Sequence, residues 1–126
     1  PLECDATMAE VFRDSAQALV GECRAAGHRA GCTDMGDVSQ IMPVLHPYMG
    51  GASGTGHAAD YAITNPDLAY VAPAKALAAM VVDLLWGDAA GAREVVAKAK
   101  PRMTRESYLT FQRSVKRHEV FDGGTT

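Results

Sequence analysis

GCTDMGDVSQIMPVLHPYMGGASGTGHAADY, residues 31–61, is the stretch that decides how this chain is read. It gathers Asp34, Asp37 and Asp60, His46 and His57, and the glycines Gly50, Gly51, Gly54 and Gly56, while both flanks carry amphipathic helical patterns. Thr33 to Asp37 is a polar turn ahead of an apolar run, Ile41-Met42-Pro43-Val44-Leu45, which predicts a brief buried strand closing at Pro47. Asp37 and Ser39 are expected to cap a short turn from Val38 to Ile41. The glycines then give a loop able to take positive φ and bring its backbone close to something bound. Gly54, Thr55 and Gly56 either present backbone N–H groups to a carboxylate or form a plain hairpin loop. His57 leaves that loop. An imidazole so placed serves as metal ligand or proton carrier, the alternative being a loop histidine bonded to backbone. His46, just before Pro47, reads either as a packed, satisfied side chain or as a group of the site.

Working outward, Asp5 or Thr7 caps a helix whose apolar positions Met8, Phe12, Ala16, Leu19, Val20 and Cys23 recur at helical spacing, with Gly27 as its predicted end. His28 lies just beyond and reads as a surface residue. Downstream of the loop, Asp60 to Ile63 is a candidate strand and Asn65-Pro66-Asp67 a turn. Pro73 marks the first turn of a helix with the stripe Leu77, Met80, Val81, Leu84 and Leu85. Val82 and Trp86 widen that stripe, which predicts cover on more than one side. Gly87 is expected to stop the helix and Asp88 to cap a shorter one running to Lys100, before Pro101. Thr104 announces a last helix, with Met103 and Tyr108 placed for a hydrophobic staple and Tyr108, Phe111, Gln112 and Val115 as its face. His118 reads as solvated, and residues 121–126 as a tail with nothing to order them. Met35, Met42 and Met49 read as core filling.

A chain of 126 residues, 48% hydrophobic and 21% charged, has room for one globular domain. A net charge of −3 and a pI near 5.7 argue against a nucleic-acid partner. Arg113, Lys116 and Arg117 cluster on the last helix as a solvated face. Cys4, Cys23 and Cys32 form no CxxC pair and are odd in number, which points to a reducing, cytoplasmic setting. The most apolar run, Ala76 to Trp86, is short and contains Asp83, so neither a membrane span nor a signal peptide is expected.

The segments Cys32-Thr33-Asp34-Met35-Gly36-Asp37-Val38-Ser39, Pro43, His46-Pro47, Gly56-His57-x-x-Asp60-Tyr61 and Pro73-Ala74-Lys75-Ala76-Leu77-Ala78 agree in order and spacing with one family. Together they resemble the C-terminal part of the two-metal amidohydrolases and peptidases of peptidase family M-twenty. That family includes aminoacylases, carboxypeptidase G and aminobenzoyl-glutamate hydrolases. The resemblance covers residues 31–85. It implies an α/β fold, a partial three-layer sandwich with mostly helices and two or three short strands. Residues 1–120 would be the returning C-terminal part of a catalytic domain whose N-terminal half and lid are not in this sequence.

The resemblance also implies a chemistry. Two divalent metal ions, zinc foremost and manganese or cobalt as alternatives, polarise the amide carbonyl of an N-acyl or N-aroyl amino acid or small peptide and activate a bridging water. His57 matches the last metal-binding histidine. Asp34 matches the acid of the family's Thr-Asp pair, with support of the ligands or positioning of substrate as its implied role and turn capping as the alternative. Asp60 falls where the family often has Glu, and His46, Gly54, Thr55 and Gly56 complete the candidate site. The remaining ligands belong to motifs absent from this sequence, which has no His-x-Asp pair, no Glu-Glu pair and no HExxH. The chain is therefore expected to be inactive alone and to need the remainder of the hydrolase, a second chain or another copy of itself. The competing expectation is a non-catalytic binding or scaffold module derived from such a hydrolase.

Overall fold

The computed structural model describes residues 1–25, 27, 32–120 and 123–124. Helix α1, Ala6–Val20, starts where Asp5 sits in extended backbone and its carboxylate accepts from the Met8 N–H at 2.9 Å. It ends earlier than the pattern predicts. Gly21, not Gly27, takes the left-handed conformation and returns its N–H to the Gln17 carbonyl, leaving Cys23 outside the helix. Two glycines six residues apart both suited the end, and the first one reached stopped it. His28, Gly31 and most of the predicted 121–126 tail lie outside the described residues.

Residues 34–48 form no strand, which corrects the strand predicted at Ile41–Leu45. Instead Asp34–Val38 closes a short helix, α2, with Thr33 before it. Asp37 lies inside this helix, and Ser39 sits at its end, donating its hydroxyl to the Gly36 carbonyl at 2.7 Å. The chain's first residues lie across this turn: Glu3 donates to the Ser39 hydroxyl, and Asp5 N–H to the Val44 carbonyl at 2.8 Å. Val44 is buried as predicted, but that single bond replaces a ladder. Pro43 cannot donate to one.

Two strands occur among the described residues, β1 (Ala52–Ser53) and β2 (Ala62–Ile63), paired antiparallel with Ala52 opposite Ile63 and Ser53 opposite Ala62. The second falls in the predicted segment. Gly51 lies at φ 101, where a Cβ would come within 2.7 Å of Ala69 N and Asn65 O, so only glycine lets the ribbon dock on the segment from Asn65 to Ala69. In that segment the helical path begins, ahead of Pro73. Asn65 accepts from the Leu68 N–H at 3.1 Å, a π-helical turn spans Asp67–Val71, and α3 continues over Ala72–Lys98.

Helix α3 breaks at Trp86–Ala89, as Gly87 predicts. Asp88 makes no cap; Gly87, Asp88 and Ala89 all take positive φ, and the helical path resumes beyond them. Gly91 then lies against the end of the first arm, where a Cβ would be 3.0 Å from the Asp83 carbonyl. Asp67–Lys98 as a whole is long and apolar enough to cross a membrane, although the left-handed corner divides it. Helix α4, Arg105–Val115, begins as predicted at Thr104, whose hydroxyl accepts from the Ser107 N–H at 3.1 Å.

The core lies between α1 and α3: Phe12 and Ala16 pack with Ala76 and Met80, and Met8, Val11, Leu45 and Leu84 lie at its edge. Ser15 donates to the Asp83 carboxylate at 2.8 Å across the same pair. The prediction that α3 is covered on more than one side fails within this chain, because Leu77, Val81, Val82, Leu85 and Trp86 are all exposed. Among the described residues the chain is mostly helical, with one two-stranded ribbon.

Candidate functional site

Gly54, Thr55, Gly56, His57 and Asp60 form one feature, the tip of the β1–β2 hairpin, and all five are exposed. The tip is built by close backbone approach. At Gly54, φ is 85 and an added Cβ would sit 2.3 Å from the Asp60 carbonyl oxygen. Asp60 turns its carboxylate back to accept from the Thr55 N–H at 3.3 Å. Ala58 N–H donates to the Thr55 carbonyl at 2.9 Å, and Tyr61 N–H to the Ala58 carbonyl at 3.2 Å. These bonds commit the Thr55 N–H to Asp60, so the tip is not an open nest of three amides for an anion.

His57 stands at the crest with φ 69. A β-carbon in left-handed backbone costs about 1–2 kcal/mol, and such strain persists where surrounding bonds over-determine it. Here two turns and the Asp60–Thr55 bond hold it, leaving the imidazole out in solvent.

The other two candidates lie elsewhere. Asp34 is exposed on α2 and faces a cleft of about 520 Å³ between α2, the first residues of the chain and α4. His46 lines a second cavity, about 710 Å³, beside α1 with Phe12, Leu45 and Leu68. Its ring lies 5.2 Å from that of Tyr48, and its Nδ1 is buried without a hydrogen-bond partner. His46 is thus packed as the residue pattern allows, but not fully satisfied. Neither cavity includes His57 among its lining residues.

No family model, no curated protein and no solved structure matches this chain. Among the described residues no three His, Cys, Asp or Glu side chains converge as a metal would need. Catalytic zinc normally takes three protein ligands. The described residues of this chain do not fit a metal centre by themselves, and no hydrolytic step is assigned to them.

Sequence reasoning assigned Asp37 and Tyr108 to capping and stapling and so missed what the α2 cleft brings together. Asp37 faces it with Asp34, and Tyr108 and Phe111 enter from α4. Burial holds the Tyr108 phenol above its ordinary pKa, and the Asp37 carboxylate, as hydrogen-bond acceptor and nearby charge, adds to the effect. Gln112 donates to the same hydroxyl at 2.8 Å and opposes it. The available signal was the spacing of three shared by Asp34/Asp37 and Tyr108/Phe111, which puts each pair on one helical face.

Proposed function

We propose that this chain supplies the last metal-binding histidine, His57, of a metal-dependent amidohydrolase that cleaves an N-acyl or N-aroyl amino acid or a small peptide. The resemblance of residues 31–85 to peptidase family M-twenty motivates this reading. The observation that carries it is His57 itself, held in strained backbone at the crest of a bonded hairpin with its imidazole exposed. In this reading Asp60 fixes the crest through the Thr55 N–H, Gly54 permits the crossing, and the other ligands come from polypeptide beyond residues 1–126. The helices and the ribbon would then be one side of a larger three-layer α/β sandwich. The free thiols of Cys4 and Cys32, both exposed, suit a reducing compartment.

A second reading, a binding or scaffold module without metal, draws on the absence of a three-donor cluster among the described residues. One experiment separates them. The native form containing this chain is purified from its source cells, and its bound metal and its hydrolysis of N-acetyl and N-benzoyl amino acids are measured with and without chelator. Chelator-sensitive hydrolysis, with both activity and bound metal lost in His57→Ala, supports the hydrolase. A native form that holds no metal, or that works equally well after His57→Ala, removes it and leaves the module.

A further inference from the structure

Apart from the hairpin tip and the α2 cleft, the cavity beside α1 has the size and lining of a small-molecule site. Its volume of about 710 Å³ falls within the roughly 300–1,000 Å³ that such sites occupy. Phe12, Val20, Leu45, Met49 and Leu68 give it an apolar wall, and its basic and acidic side chains among the described residues are Arg13, Glu22, Arg24 and His46. Glu22 and Arg24 pair with each other at 2.6 Å, which engages the one carboxylate on the wall.

Arg13 and His46 are left without such a partner. Arg13 is exposed on α1, and none of the ion pairs among the described residues uses it. His46 is half-buried, and its Nδ1 is inaccessible and has no hydrogen-bond partner. A ligand therefore reaches the ring through Nε2. The tautomer of a histidine follows the hydrogen bond that its other nitrogen makes. Here nothing holds a proton on Nδ1, so the proton belongs on Nε2 and the ring presents a donor. One N–H donor on a largely apolar wall, in the positive field of an unpaired guanidinium, fits an acceptor that carries negative charge. An amine would find its only counter-charge already taken by Arg24.

We infer that this cavity binds an apolar monocarboxylate, an aliphatic or aryl-alkyl acid whose body lies on the Phe12 and Leu45 wall and whose carboxylate accepts from His46 Nε2. Arg13 attracts the anion from the rim. The inference is independent of the hydrolase reading, since His57 does not line this cavity.

The test titrates the native form containing this chain, by calorimetry, with octanoate, 3-phenylpropanoate, octan-1-ol and octylamine. At least one of the two acids is expected to saturate and to bind about tenfold tighter than the alcohol or the amine. His46→Phe keeps a ring against Tyr48 and is expected to weaken the acid about tenfold while leaving the alcohol unchanged, a split that unfolding would not produce. Arg13→Gln changes an exposed residue and carries the test if His46→Phe does not fold; it is expected to weaken the acid about two- to fivefold, and less at high salt. The same titrations in His57→Ala are expected to be unchanged, which separates this cavity from a metal centre that could also hold an acid. Octanoate bearing a diazirine should crosslink to peptides containing Phe12 or His46. If neither acid saturates, if the alcohol binds as tightly as the acids, if both His46→Phe and Arg13→Gln bind like wild type, if binding is lost in His57→Ala, or if the crosslinks fall on α3, the inference is overturned.

Discussion

At the level of single residues the hairpin tip turns on two backbone angles. Gly54 and Gly56 look equivalent in sequence, yet only Gly54 combines positive φ with a carbonyl 2.3 Å from where a Cβ would stand; around Gly56 nothing lies within 4 Å. Gly54→Ala is therefore expected to cost the hairpin about 2 kcal/mol or more, whereas Gly56→Ala is tolerated. Amide exchange at Thr55 and Ala58 reads the difference, since both N–H groups are bonded within the tip. Equal protection in the two variants would show that Gly54 is not the crossing point. Sequence inspection found the right residues here, because clustered glycines beside a histidine mark a turn whatever its exact path. It did not find which glycine is indispensable, because that depends on a contact six residues away, with Asp60. His46 illustrates the opposite limit: its packed position was legible, but the unpaired Nδ1 results from the packing against Tyr48 and α1, which no local pattern encodes.

At the level of elements, the caps at Asp5 and Thr104 were legible, whereas the cap expected at Asp88 did not form and helix lengths were not legible. Asp5 and Thr104 both cap as their types and positions predict, because an N-cap is a local hydrogen bond. Thr104→Ala should cost about 1 kcal/mol and fray α4, read as lost far-ultraviolet helical signal. A pH dependence accompanies it. The Glu106 carboxyl is held below its usual range, first by its own backbone N–H and then by the Thr104 hydroxyl. A lowered folded-state pKa contributes stability above the ordinary Glu range and loses it as pH falls through the lowered value. Helical signal in α4 should therefore decline on acidification, and decline less in Thr104→Ala, where one cause of the shift is gone. An unchanged acid limb would mean that the hydroxyl does not reach Glu106 in solution. The strand predicted at Ile41–Leu45 failed for a related reason. A buried apolar run satisfies strand and coil alike, and only a neighbouring strand, absent among the described residues, would decide for the former.

For the whole molecule, the stripe on α3 was legible as apolar on nearly all sides, but periodicity counts apolar positions without saying which neighbour covers each one. The structure divides the stripe into a face the chain buries and a face it does not, and that division is testable by two truncations. Phe12 is 5% exposed between α1 and α3, so Phe12→Ala removes an anchor of the one shared core and should cost about 3–5 kcal/mol. Few other buried side chains remain to absorb the loss, and a small domain has about 5–15 kcal/mol in total, so the variant is expected to lose a large share of its stability, read as a much lower urea midpoint. Trp86, 79% exposed at the corner of α3, has nothing comparable to lose. Trp86→Ala should leave the unfolding free energy of the isolated chain, read by urea titration, within about 0.5 kcal/mol of wild type. If it instead costs as much as Phe12→Ala, Trp86 is buried in the isolated chain through contacts between copies. The uncovered face would then already have a partner in this sequence.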